Sequence, residues 1–158
     1  MNILSWNRCM WLSIFTLIAL IVLNFYGVYT HKFYLLKPDN YIFLLLAIVH
    51  GIYLYVVQFK IREHEPPDPP MRNLEFGLYA ILFVYIYKLI DAITILLSYK
   101  DYADHIIPKT FIPMGSLIIT LYIMLVGLTM LSFKHRKSEV GLYNFEDYND
   151  RIDSWEEL

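Results

Sequence analysis

Cysteine is almost absent from this sequence, and the chain carries little net charge. Its 158 residues include one cysteine, Cys9, so a disulfide within the chain is excluded. Cys9 lies just before the first apolar run, where it is either an unmodified thiol or a palmitoylation site. The net charge is -2, which offers no basic surface for nucleic acid. No nucleic-acid partner is therefore predicted.

Catalytic and metal-binding motifs are also missing. The sequence has no G-x-S-x-G, no P-loop and no N-x-S/T sequon. Its histidines are scattered, and no two of them are spaced as H-x-x-x-H. The sequence therefore predicts no enzyme activity, no cofactor and no metal site.

Apolar residues, in contrast, make up 58% of the chain. They form four blocks, each close to the roughly 20 residues that a helix needs to cross a bilayer. The blocks predict membrane spans at residues 10–29, 41–59, 76–97 and 112–133. Lipid requires each span to satisfy its own backbone hydrogen bonds, and short connections favour antiparallel neighbours. We expect an all-α, four-helix antiparallel transmembrane bundle at 1–133, followed by a cytoplasmic acidic tail at 134–158.

Lysine and arginine in the flanks of the spans predict the orientation, because cytoplasmic flanks carry more of them. The N-terminus, the second loop and the tail carry Arg8, Lys60, Arg62, Arg72, Lys134, Arg136 and Lys137. The other two loops carry Lys32, Lys37, Lys100 and Lys109. This bias predicts that both termini of an integral, multi-pass protein face the cytoplasm. We expect the protein at the plasma membrane or in endosomes and lysosomes.

Four polar residues lie at comparable depths inside the predicted spans: Asn24 in the first, His50 in the second, and Lys88 and Asp91 in the third. Lys88 and Asp91 are three residues apart and so share one helix face. An isolated charge at this depth is costly. We therefore expect a buried cluster in which Lys88 and Asp91 neutralise each other and Asn24 or His50 completes their hydrogen bonds. The cluster either fixes helix register, pairs with a partner subunit, or serves as a proton or ion site.

Two further patterns concern helix contacts and the second loop. Small residues in the second and fourth spans are typical of close helix contact: Ala47, Gly51, Ser116, Thr120 and Gly127. The second loop, residues 60–75, contains EPPDPP. Its four prolines predict a stiff, extended connection rather than a helix.

The tail combines acidic residues with spaced aromatic ones. It begins with KHRK, a basic cluster that we expect to attract anionic lipid. The candidate residues for docking a partner are Tyr143, Tyr148, Trp155 and Leu158. Tyr148 could accept a phosphate, and Leu158 could enter a PDZ-type groove. The alternative is a flexible tail that only aids solubility.

Four spans, cytoplasmic termini and a tyrosine-containing tail together resemble small tetraspan proteins of the lysosome-associated LAPTM type and the junction-associated pasiflora type. The resemblance is one of architecture. The tail has no P-P-x-Y motif, and no loop is rich in cysteine as in true tetraspanins. The resemblance implies a non-enzymatic role in membrane organisation, sorting or junction assembly.

These features predict a non-enzymatic adaptor that acts in trafficking or in the assembly of junctions and other complexes. Its expected partners are membrane lipid and the membrane or cytoplasmic proteins that its tail binds, and it could oligomerise. The alternative is a transporter or channel subunit that uses Lys88, Asp91 and His50. The sequence shows neither internal repeats nor interrupted spans, which are the usual marks of transporters.

Overall fold

The described part of the chain folds into four long helices and one short hairpin. The computed structural model describes residues 4–28, 30, 32–100 and 108–143, without the side chains of residues 39 and 100. The helices are α1 (Trp6–Asn24), α2 (Asp39–Glu63), α3 (Pro69–Leu97) and α4 (Phe111–Glu139). Strands β1 (Tyr26–Gly27) and β2 (Lys32–Phe33) pair between α1 and α2, and a 3-10 turn (Ser98–Lys100) extends α3.

All four helices are long and apolar enough to cross a membrane. Even α1, with 19 residues, nearly matches a hydrocarbon core of about 30 Å at about 1.5 Å of rise per residue. Large apolar side chains cover the outside of the bundle, and Phe15, Leu45, Phe83 and Ile123 are each more than half exposed. Such a surface suits lipid rather than water. The protein is an integral, multi-pass membrane protein, and this prediction is confirmed.

α1 ends at Asn24, whereas the predicted first span continues to residue 29. The chain turns there into the hairpin, and the Tyr34 N–H donates to the Phe25 carbonyl at 2.8 Å. Gly27 permits this close turn. A Cβ atom added at Gly27 would lie 2.5 Å from Cε2 of Tyr34 and 2.6 Å from Oγ1 of Thr30. The absence of a side chain at residue 27 therefore lets the hairpin fold back over the end of α1.

α3 begins at Pro69, within the segment that the sequence predicts to be an extended loop. Asp68 is the reason, because its carboxylate accepts the Met71 N–H at 2.9 Å and so caps the helix. Pro69 and Pro70 occupy the first turn, where a missing N–H leaves no helix hydrogen bond unmade. Glu75 consequently belongs to α3 rather than to a loop.

The helices pack in chain order around a common core. α1 contacts α2 and α4, α3 contacts the same two helices, and α2 touches α4 across the middle. α1 and α3, both fully described, lie on opposite corners and do not pack on each other. The most extensive interface joins α3 to α4. The start of α3 lies beside the end of α4 at Glu75 and Arg136, and the end of α3 lies beside the start of α4 at Leu96 and Gly115.

Aromatic rings fill the middle of the bundle. Phe43 of α2 packs on Tyr85 of α3 and Tyr122 of α4, with ring centroids 5.8 and 6.0 Å apart. All three side chains are buried. Lipid tails are as apolar as these residues, so helix association inside a membrane depends on close packing and on interhelical hydrogen bonds. The three rings provide such packing between α2, α3 and α4.

Close contact between helices occurs at Gly115, which the small-residue pattern does not include. A Cβ atom on Gly115 would lie 2.8 Å from Cδ1 of Leu96 in α3. At Gly51 and Gly127 an added Cβ would meet nothing within 4 Å, so the expectation of close contact at these two glycines is wrong. Ala47 does lie in the core.

Replacing Gly115 should therefore weaken the α3–α4 interface. We expect Gly115→Val to destabilise the protein by about 1–3 kcal/mol, the usual effect of overpacking. Gly127→Val is the matched control, because it makes the same change in the same helix at an open position. Thermal unfolding in detergent would measure both. Equal losses of stability in the two variants would show that helix propensity, and not the contact with Leu96, sets the effect.

Candidate functional site

Polar side chains gather at the two ends of the bundle. At one end, the start of α3 meets the end of α4, and we call the group formed by Glu75, Tyr79, Arg136 and Tyr143 the anchor cluster. At the other end, Asn24, Lys88 and Asp91 line a space between α1, α3 and α4, which we call the polar cavity. The two sites differ in whether their charges have protein partners.

Glu75 and Arg136 form a buried ion pair. Arg136 Nη2 donates to Glu75 Oε1 at 2.6 Å, and the side chains of Arg136 and Glu75 are 8% and 3% exposed respectively. The other terminal nitrogen, Nη1, donates to the carbonyl of Gly141 at 3.0 Å. Two charges this deep are tolerated only when each has a partner. The pair therefore fixes the start of α3 against the end of α4.

Tyr143 is held to the same carboxylate. Its hydroxyl donates to Glu75 Oε2, and the Arg136 guanidinium lies 4.4 Å from the centre of its ring, within cation–π range. Burial and the hydrogen bond to Glu75 raise the pKa of Tyr143. Gly141, with φ +108°, lets the chain turn back after α4. The few residues from the end of α4 to Tyr143 are thus folded onto the start of α3.

The sequence pattern does not predict the anchor cluster. It places Glu75 at the end of a loop and Arg136 in the basic cluster facing lipid. The structure buries both, with Tyr79 donating its hydroxyl to Glu75 Oε1 at 3.2 Å from one turn further along α3. The one signal in the sequence is that an acid, Glu75, and a base, Arg136, border the apolar runs of two successive spans.

In this conformation the ring and hydroxyl of Tyr143 face the bundle, and its role in docking a partner stays a prediction. Tyr148, Trp155 and Leu158 lie outside the described residues.

A second ion-pair group joins α2 to α3. Lys60 Nζ lies 2.8 Å from Glu65 Oε2 and 2.8 Å from Asp68 Oδ2, and its side chain is 9% exposed. Partial burial acts to raise the pKa of Asp68, but the hydrogen bonds from Lys60 and from the Met71 N–H outweigh it and hold that pKa below its ordinary value. Asp68 therefore both caps α3 and ties the turn to α2.

The polar cavity brings together three of the four residues predicted to cluster. Asn24, Lys88 and Asp91 all line a cavity of about 140 Å³. Asn24 also donates from Nδ2 to the carbonyl of Asn40 at 2.8 Å, which ties the end of α1 to the start of α2. His50 is not among the lining residues. The structure thus separates the histidine from the other three side chains.

Lys88 and Asp91 do not form the predicted ion pair. Among the residues that the structure describes, neither side chain has a hydrogen bond or an ion pair. Asp91 is exposed and Lys88 is half-buried. A spacing of three residues places them on one face of α3, as expected, and both line the cavity, but no ion pair joins them. Lys88 and Asp91 are therefore not stabilised by an ion pair with each other.

His50 lies in the core between α2 and α3. Its Nδ1 is 3.3 Å from the Tyr85 hydroxyl, the two rings stack with centroids 5.9 Å apart, and the side chain is fully buried. Its Nε2 has no hydrogen-bond partner in the described structure. Asp91 lines the polar cavity and His50 does not. The two side chains therefore share no site in which a proton could pass directly between them.

The described residues contain no group of three His, Cys, Asp or Glu side chains that could hold a metal ion. Comparison of the chain with protein-family models, with curated proteins and with solved structures finds no match. The chemistry of the anchor cluster and of the polar cavity therefore carries the functional interpretation.

Breaking the ion pair of the anchor cluster should be costly. Glu75→Gln leaves the Arg136 charge buried without a partner, and Arg136→Met does the same to Glu75. We expect each to destabilise the protein by about 3–5 kcal/mol, and the double replacement Glu75→Leu with Arg136→Met to recover much of this loss. Thermal unfolding in detergent and the yield of folded protein would measure both the loss of stability and its recovery.

The matched control is the pair Lys88→Met and Asp91→Leu, singly and together. Because these two side chains do not pair, neither single change deprives a buried charge of its partner, so neither should cost the roughly 3–5 kcal/mol expected at Glu75 and Arg136, and the double variant has no such loss to recover. A recovery of stability in the Lys88 and Asp91 double variant would contradict the structure.

The free energy of unfolding should depend on pH in part through the ionisation of Asp68. Its folded-state pKa is depressed, so its contribution is fully present above its unfolded pKa of about 4 and is lost as the pH falls through the folded value. Asp68→Asn retains the helix cap but loses the ion pair, and it should remove this acid-dependent step. Asp68→Ala should cost a further 0.5–2 kcal/mol, roughly the value of an N-cap. Unfolding curves recorded from neutral to acidic pH would test this. An acid-dependent step that persists unchanged in Asp68→Asn would assign it to another carboxylate.

Proposed function

We propose that the protein is a non-enzymatic membrane adaptor that presents its acidic tail to partner proteins during trafficking or the assembly of membrane complexes. The observation that carries this proposal is the attachment of Tyr143 to the anchor cluster. Glu75 binds its hydroxyl, and Arg136 lies against its ring. The acidic and aromatic residues beyond Tyr143 thereby start from a defined point on the bundle.

The orientation that we propose has four antiparallel helices and both termini in the cytoplasm. Contacts between opposite ends of successive helices support the antiparallel arrangement: Asn24 reaches Asn40, Lys60 reaches Asp68, and Leu96 lies against Gly115. The excess of lysine and arginine at the anchor end supports its cytoplasmic placement. The plasma membrane or the endosomal and lysosomal membranes are the locations we propose.

An anchored start favours partner binding over a merely solubilising tail. A segment that begins from a fixed position searches a smaller volume, so less conformational entropy is lost when it binds. The tail residues Tyr148 and Trp155 offer aromatic anchors among acids, and aromatic residues dominate binding energy in protein interfaces.

A photo-crosslinking residue in place of Tyr148 tests the proposal in native membranes. We expect discrete adducts with cytoplasmic proteins, and a lower adduct yield when Tyr143→Phe removes the hydrogen bond to Glu75. The same crosslinker in place of Leu36, which is 97% exposed in the first loop, is the matched control and should give none of these adducts. A tag after residue 158 should resist protease added to intact cells. An absence of adducts from position 148, or digestion of the tag, would count against the adaptor.

A transporter or channel subunit is the second candidate function. One observation favours it: Asn24, Lys88 and Asp91 surround a single cavity. His50 lies apart from that cavity, so such a pathway would depend on the other three residues. Ion or proton flux in vesicles containing the purified protein, abolished by Asp91→Asn, would favour transport over the adaptor.

A further inference from the structure

Lys88 and Asp91 present opposite charges to one partly open space. Both belong to α3, and both line the polar cavity. Neither has a hydrogen bond or an ion pair with any residue that the structure describes. Charges within an apolar helix are expensive unless something compensates them. The spacing of three residues would allow them to pair, and because they do not, both charges are available to a third group.

The walls of the cavity are apolar and aromatic. α1 contributes Leu20 and α4 contributes Ile118, while Tyr26 and Tyr122 add rings. Tyr122 is buried, and Asp91 lies close enough to interact with it electrostatically. The space exists because α1 and α3 occupy opposite corners of the bundle and do not pack on each other. Tyrosine faces beside a carboxylate form the surroundings that ammonium and quaternary ammonium groups prefer.

We propose that the polar cavity binds a zwitterionic group, with its ammonium or quaternary ammonium against Asp91 and its phosphate or carboxylate against Lys88. Such a ligand compensates both charges at once, whereas a simple anion or cation leaves one of them without a partner. Asn24, at the end of α1, supplies an amide that can bind the anionic part through its nitrogen or the ammonium through its oxygen.

The cavity has a route to its ligand. A second space of about 400 Å³ adjoins it and shares Asn24, Tyr26, Val28 and Ile95. This outer space is bounded by the hairpin and by the start of α2, including Tyr34. A zwitterionic lipid headgroup could enter from the membrane, and a small free zwitterion could enter from the loop side. The lipid headgroup and the free zwitterion carry the same pair of charges for the cavity to bind. They differ in whether acyl chains are attached to the charged group.

Native mass spectrometry of the purified full chain tests the proposal. The protein is titrated with phosphatidylethanolamine, phosphatidylcholine and the anionic phosphatidylglycerol. We expect the zwitterionic lipids to bind about tenfold more tightly than phosphatidylglycerol, the effect of one charge-assisted hydrogen bond. Asp91→Asn should remove this preference and spare anion binding, whereas Lys88→Gln should weaken all three lipids. Tyr87→Phe is the control, since Tyr87 is not among the residues that line the cavity and is 67% exposed.

A calorimetric titration with free phosphoethanolamine separates the two sources. Binding that requires Lys88 and Asp91 would identify a soluble zwitterion as the ligand, and its absence alongside lipid binding would identify a lipid headgroup. Should a charge variant fail to fold, Ala92→Leu fills the cavity from its wall without changing any charge and should abolish binding. If zwitterionic and anionic lipids bind equally and free phosphoethanolamine does not bind, or if Asp91→Asn or Ala92→Leu leaves the preference unchanged, the proposal is overturned.

Discussion

The ion pair between Glu75 and Arg136 joins three parts of the chain into one unit: the start of α3, the end of α4 and the residues just beyond α4. Each side chain is almost fully buried, so neither charge could remain in place without the other. Arg136 also binds the Gly141 carbonyl and the Tyr143 ring. The ion pair thus holds the start of α3, the end of α4 and the residues up to Tyr143 together. It does so through both carboxylate oxygens of Glu75 and both terminal nitrogens of Arg136. Because these atoms already have protein partners, we assign the pair a structural role in support of the tail.

Two other charged residues of α3, Lys88 and Asp91, lie in a different environment. Lys88 and Asp91 lie three turns or more beyond Glu75 along α3, and they line a cavity without partners in the described structure. Lys88 and Asp91 therefore lack the internal compensation that Glu75 and Arg136 give each other. The contrast within one helix points to a ligand rather than to packing. It also separates the two proposals, because the anchor cluster and the polar cavity lie at opposite ends of the bundle.

The sequence predicts the fold better than it predicts the sites. Apolar runs of about 20 residues are sufficient to indicate four membrane helices, because lipid permits no unpaired backbone. Helix ends are less predictable. α3 begins at Pro69 because Asp68 caps it and prolines suit a first turn, whereas the run of prolines by itself favours an extended loop. The end of α1 depends on the close turn at Gly27, which is visible only once Thr30 and Tyr34 approach it.

The amino-acid sequence by itself determined that the chain crosses the membrane as helices, and that Lys88 and Asp91 share a face of α3. Both results depend on local properties, namely the hydrophobicity of a segment and the 3.6-residue period of a helix. Only the tertiary structure decided which polar groups meet. It paired Glu75 with Arg136, placed Asn24 beside the cavity, and separated His50 from it. These outcomes depend on the rotation and axial offset of neighbouring helices, which are set by long-range contacts such as those of Phe43 with two tyrosines and of Leu96 with Gly115. No local pattern in the sequence encodes such contacts, because their partners lie on different helices.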